Sequence, residues 1–281
     1  MSKFASTVRL LAGGATMLAA ATSVADATAQ TPASPPDFSS NETAWLGGNG
    51  VNFIAVPGSP SPVTNDPAHP HISNGVATRT GQQPTYRISD LTNPNLKQWA
   101  KNVMKKDNDE VLAGKIGYTP GSSCKPAGVP AFMLDGGPFF FLQTPKKVTI
   151  IAQGGPEVRQ IYMNVPHSAN VKPSWYGESV GRYEGDTLVI DTIGLNTKSF
   201  IDHFRTPHTE KLHVIERWRM IDGGKRIEAL ITIDDPDTFY QPWQAILRWG
   251  RVQRTLPELV CTEGNFVLFD YGTPVADKPD F

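Results

Sequence analysis

From Ala131 onward, apolar and polar positions alternate in short runs broken by turn residues, which is the period of a half-buried strand. The runs are Phe139 to Gln143, Val148 to Ala152, Val158 to Met163, Ser179 to Tyr183, Thr187 to Ile193, about Lys211 to Met220, Arg226 to Ile233 and Ala245 to Arg254. Gln153-Gly154-Gly155-Pro156, Glu184-Gly185-Asp186 and Asp222-Gly223-Gly224 carry the residue types of hairpin turns between neighbours. About eight strands joined mainly by hairpins predict a mostly β fold, an antiparallel β-barrel in preference to a sandwich.

One segment has the helical period instead. Asn93-Pro94 reads as a cap followed by a first-turn proline, and Leu96, Trp99, Ala100, Val103 and Met104 form one apolar stripe. Asp107 to Glu110 reads as a solvated face, with Gly114 as the stop. Before this helix, Thr31 to Thr92 is rich in Pro, Gly, Ser and Asn without a sustained period. It predicts a long irregular N-terminal segment with a short strand within Ala44 to Val56.

The first 29 residues resemble a secretory leader: Lys3 and Arg9, an alanine-rich apolar middle from Leu10 to Val24, and Ala27-Thr28-Ala29 as cleavage site. The expected organisation is therefore a signal peptide over 1–29, the irregular extension over 30–92, and a helix plus barrel over 93–281. That places the mature chain in the periplasm or outside the cell, with no membrane span. A net charge of −1 supplies no field for nucleic acid. With two cysteines in an oxidising compartment, a Cys124–Cys261 disulfide is the economical reading, over two buried thiols or a nucleophilic cysteine.

Composition and motifs do not name a reaction, because no G-x-S-x-G, P-loop, H-E-x-x-H, C-x-x-C or Rossmann signature is present. The candidate chemistry is a constellation between Gly194 and Met220. On the last of its strands Leu212, Val214, Glu216 and Trp218 share the more apolar face, so Glu216 should point into the core and need a partner there. His208, in the preceding bend, could reach the same hollow as a proton carrier, with Glu216 as its partner. Asp202 would position the substrate and Arg217 would stabilise charge, although Arg217 alternates with Glu216 along the strand. The competing reading is structural: Glu216 paired with an arginine across the sheet and His208 holding a loop. Arg205, His213, Trp175, Tyr176, Trp218, Tyr240 and Trp243 could line a pocket for a planar or sugar-like ligand. His69 and His71, or His203, His208 and His213 with Asp202, are weaker metal alternatives, since a site needs three or four convergent ligands.

The runs YEGDTLVIDTIGLN, RTPHTEKLHVIERW and TIDDPDTFYQPW, with the cysteine contexts SSCKPAGVP and LVCTEGN, resemble a large uncharacterised family of secreted bacterial proteins, some described as lipocalin-like. The likeness covers roughly Asp90 to Asp270. It implies a calycin-type barrel, export, and a pattern that includes Asp202, His208, His213, Glu216 and Arg217 with both cysteines. His203 departs from that pattern.

Three functions follow as expectations, the last a structural envelope protein whose barrel is filled with side chains. The first is an exported lyase, isomerase or hydrolase using cofactor-free acid and base chemistry on a small organic or sugar-derived molecule. The second is a periplasmic small-molecule binding protein of calycin type with no chemistry.

Overall fold

The computed structural model describes residues 34–39, 42–47, 52–115, 119–134, 137–153, 157–256, 258, 260 and 261. The expected leader and the centre of the Gln153–Pro156 turn lie outside them. Ten strands follow in chain order: β1 (Thr43–Gly47), β2 (Ile54–Ala55), β3 (Phe139–Gln143), β4 (Lys147–Ala152), β5 (Glu157–Met163), β6 (Glu178–Glu184), β7 (Thr187–Ile193), β8 (His213–Ile221), β9 (Arg226–Asp234) and β10 (Trp243–Gln253). From β3 to β10 each strand pairs with the next, and β1 sits between β3 and β10, closing a nine-stranded barrel. Farther along β10, β2 adds a short tenth strand at Ala245 and Ile246.

The mostly β barrel expected from the alternation is the fold observed, with one strand more in its wall than the eight runs supplied. That strand, β1, lies in the N-terminal segment, where the short strand within Ala44 to Val56 is expected, and starts one residue earlier. Among the barrel pairs β5 and β6 alone run parallel, over Ile161–Met163 and Ser179–Gly181. A hairpin cannot join parallel strands, so residues 164–177 cross over the outside. They dock closely: a Cβ on Gly194 would lie 2.2 Å from Val171 Cγ1, at a φ of +70°.

Inward positions fill the barrel. Trp218 stacks on Trp249 with ring centroids 4.9 Å apart, and Phe141 and Phe139 meet the two indoles edge-on. A barrel of this size has an interior that side chains can fill, and here large aromatics occupy it.

Two α-helices lie between β2 and β3 in the chain. In α1 (Asn74–Thr80) Ser73 Oγ accepts from the Val76 amide at 3.3 Å. The second, α2 (Gln98–Leu112), begins later than the Asn93-Pro94 signature suggests. Tertiary pairing takes the intervening residues: Leu96 bridges Phe239, and the Lys97 amide donates to Thr238 O at 2.9 Å. Asn93 caps a turn instead, accepting from the Asn95 amide.

The buried face of α2 is also displaced. It comprises Ala100, Met104, Asp107, Asn108 and Val111, while Trp99 is 38% exposed. Asp107 is therefore not on a solvated face. Its Oδ1 lies 3.2 Å from Arg205 Nη2, and Asn108 exchanges hydrogen bonds with the Ser89 backbone.

Cys124 and Cys261, 137 residues apart, form the expected disulfide. Among the described residues no helix is long and apolar enough to cross a membrane.

Candidate functional site

Glu216 lies at an inward position of β8 and is fully buried, as the alternation required. Its partner is Arg159, at an inward position of β5. Arg159 Nη2 donates to Oε1 at 2.6 Å and Nη1 to Oε2 at 2.9 Å, a bidentate pair. Trp218 Nε1 also donates to Oε2, at 2.8 Å. Arg159 Nε donates to Ser179 Oγ and Nη2 also to Thr192 Oγ1, and the guanidinium carbon lies 5.3 Å from the Phe132 ring centre. A carboxylate saturated in this way, on both oxygens and inside a filled barrel, is part of the wall's structure.

His208 does not join it. The imidazole Nδ1 faces Thr209 O at 3.0 Å, and a carbonyl only accepts, so Nδ1 carries the proton. Nε2 then accepts from Ser199 Oγ at 3.0 Å. Burial holds the His208 pKa below the ordinary imidazole value, consistent with this neutral tautomer. Asp235 fixes the turn from below, accepting from the Thr209 amide at 2.6 Å and its hydroxyl at 2.9 Å.

Ser199 to His208 to a carbonyl is the hydrogen-bond order of an activated nucleophile. Here the serine is 2% exposed and lies under Gly128, whose added Cβ would stand 2.6 Å from Ser199 Oγ. Buried under the 128 turn, the serine hydroxyl ties that turn to the 208 turn, while His208 itself also borders a separate cavity of about 540 Å³ with Trp99, Val103, Thr197 and Pro207. The His208–Glu216 acid–base pair expected from the sequence is thus not assembled, because each side chain is consumed by other partners.

Asp202 is in a third environment. Ile201 N donates to Thr206 O at 2.9 Å, closing a tight loop in which Arg205 has a φ of +58°. Asp202 pins this loop from within: Oδ1 accepts from the Phe204 and Thr206 amides and Oδ2 from Thr206 Oγ1 at 2.7 Å. These bonds favour the carboxylate, yet burial outweighs them and raises the pKa from 3.8 to about 6.

Asp202, His203 and Phe204 then line a partly open cavity of about 540 Å³, together with Leu134 and with Phe53, Asn65, His71 and Tyr86 of the N-terminal segment. His71 Nδ1 donates to Asn65 Oδ1 at 3.1 Å, and His203 Nε2 donates to Leu134 O at 3.1 Å. Phe53 stands edge-on to Trp243 behind the wall. The cavity is lined by aromatic, amide and imidazole residues and by Asp202, whose carboxyl burial pushes up to about 6.

The other expected site residues are dispersed. Arg217 lies on the outer wall against Glu184 at 2.7 Å, since alternation turns it away from Glu216. His213 is also outside, on Asp191 at 2.9 Å. Arg205 is buried on Asp107. Trp218 belongs to the barrel core, and Tyr176 packs partly buried against Phe132. Trp175 is half-buried near Gly128, Trp243 is buried, and Tyr240 is 66% exposed over Lys97 Nζ. The three spaced histidines address separate partners, and His69 lies on Asp66 at 2.8 Å.

Arg159, Ser199, Asp107 and the N-terminal lining were not foreseen. Arg159 was findable: the period that turns Ile161 and Met163 inward on β5 turns Arg159 inward too, where Glu216 needed a cation. No local signal brings residues 52–86 to Asp202. No family model matches the chain, and no curated protein or solved structure matches it significantly. The family resemblance therefore rests on the quoted runs alone.

Proposed function

We propose that the protein is an exported small-molecule-binding protein that holds a compact aromatic ligand with a hydrogen-bonding group in the Asp202 cavity. One observation carries this reading: a concave space of about 540 Å³ with aromatic walls also presents a buried carboxyl, Asp202, and two imidazoles. Binding sites combine this size and apolar lining with a few placed polar groups. The barrel interior offers no comparable room, since Trp218, Trp249, Phe139 and Phe141 fill it.

A second reading is an acid–base enzyme, a lyase, isomerase or hydrolase, at the same cavity. What favours it is the burial of Asp202 beside the cavity, which pushes its carboxyl up to about 6, where a group can both take and return a proton. In that reading Asp202 replaces His208 and Glu216 as the proton carrier.

Thermal-shift screening of the mature chain against aromatic and carbohydrate libraries tests the first reading, with Asp202→Asn and Phe204→Ala as controls. Ligands are expected to stabilise the wild type and to lose that effect in both variants. Stabilisation that survives both would place the ligand elsewhere. Turnover of a hit, with a pH profile that inflects near 6 and flattens in Asp202→Asn, would establish the second reading over the first.

A further inference from the structure

The outer wall carries a chain of titratable groups that the proposed function does not use. His167, in the crossover 164–177, places Nδ1 3.1 Å from Glu178 Oε1 on β6 and Nε2 2.9 Å from Asp191 Oδ1 on β7. The same Asp191 oxygen meets His213 Nε2 of β8 at 2.9 Å. Glu178 also accepts from the Ser168 amide at 2.7 Å and the Ser168 hydroxyl at 2.5 Å. Across from His213 on β9 stands Asp234, whose charge acts on the same imidazole.

A carboxylate only accepts, so a ring with a carboxylate at each nitrogen makes both hydrogen bonds only when it bears both protons. His167 is such a ring. With Asp191 between two imidazoles and Glu178 beyond, the arrangement alternates in sign from the crossover to the third strand of the wall. The side chains of His167, Asp191 and His213 are 22%, 30% and 35% exposed, so solvent protons reach them.

We propose that His167, Glu178, Asp191 and His213 form a proton-dependent clasp that holds the first half of the β5–β6 crossover on the barrel and releases it when the imidazoles deprotonate. The second half has its own fastening, since Ser174 N donates to Gly194 O and Asn196 N to Ser174 O. Asn170, Val171 and Lys172, between the two fastenings, form one wall of an open groove facing Val158 and Tyr162 of β5. The clasp therefore sets the position of that wall.

The direction of the pH effect follows from the neighbours. Asp191 raises the His213 pKa above its ordinary 6.5, so that contribution is complete below 6.5 and is lost as pH rises through the folded value. Hydrogen bonds from His213 lower the Asp191 pKa, and those from Ser168 lower that of Glu178. Their contributions are present above 3.8 and 4.5 respectively and are lost on acidification. The clasp is tightest in mildly acidic solution.

The test is a residue-resolved NMR titration of the full mature chain, reading imidazole shifts and the exchange protection of the Ser168 amide, corrected for intrinsic rate. Between about pH 5.5 and 8.5 Ser168 protection should fall roughly tenfold or more, as expected for losing one charged hydrogen bond, while amides in the β8–β9 ladder keep theirs. Asp191→Asn should lower the His213 midpoint and abolish the pH dependence at Ser168. Unchanged wild-type protection across the titration, or a pH response that persists in Asp191→Asn, would overturn the proposal.

Discussion

Two buried carboxyl groups, Glu216 and Asp202, lie fourteen residues apart in sequence and have opposite environments. Glu216 faces a guanidinium that meets both its oxygens, inside a barrel packed with aromatic rings. Asp202 accepts hydrogen bonds from neutral amides and a hydroxyl, has no ion pair among the described residues, and borders a cavity. Burial alone therefore does not mark a functional acid. The compensated carboxylate belongs to the scaffold, and the one without a cation is pushed by burial up to about 6, in a residue that borders a cavity.

The largest effect should come from breaking the compensated pair. Arg159→Met leaves the Glu216 charge buried without a cation and should cost about 3–5 kcal/mol in urea denaturation, with Arg159→Met/Glu216→Leu recovering much of it. A double variant as unstable as the single would mean the pair is more than a mutual neutraliser.

Next in size is the pH dependence of Asp202. Because its folded pKa is raised from 3.8 to about 6, its protonated form stabilises the fold, and that contribution disappears as pH climbs through this interval. By linkage the loss is about 3 kcal/mol, and Asp202→Asn should flatten the stability profile between about pH 4 and 6. His208 opposes it in sign: its lowered pKa gives stability that is present above 6.5 and lost on acidification. The comparison is therefore cleanest as wild type minus variant.

Smaller still is Ser199→Ala. It deprives the buried His208 Nε2 of its donor and should cost about 1–3 kcal/mol, while ligand binding at the Asp202 cavity stays as in wild type. A loss of binding or turnover with little loss of stability would return His208 to the functional site and add Ser199 to it. At the bottom of the scale, Arg217→Ala removes an exposed pair with Glu184 on the outer wall, and the urea midpoint is expected not to move.

The alternation along the chain was enough to find β3 through β10, because most of their positions alternate between a dry and a wetter side, although Phe139, Phe140 and Phe141 of β3 are all buried. It also turned Glu216 inward and Arg217 outward correctly. What it could not supply was pairing at a distance. Asn93-Pro94 reads as a helix start until Phe239 and Thr238 claim Leu96 and Lys97. Asp107 reads as solvated until Arg205, 98 residues later, arrives beside it. The Asp202 cavity is the extreme case, since one wall comes from residues 52–86, whose turns carry no period to read. Polar groups were legible as a collection; which of them share a space was decided by loops.

The most direct measurement is a side-chain carboxyl ¹³C titration of the protein from about pH 3 to 8, with Asp202 assigned by comparison with Asp202→Asn. The account predicts a midpoint near 6 for Asp202. A midpoint at or below an ordinary aspartate's ~3.9 would show a carboxylate fully stabilised by its loop, and the cavity would lose its titrating group.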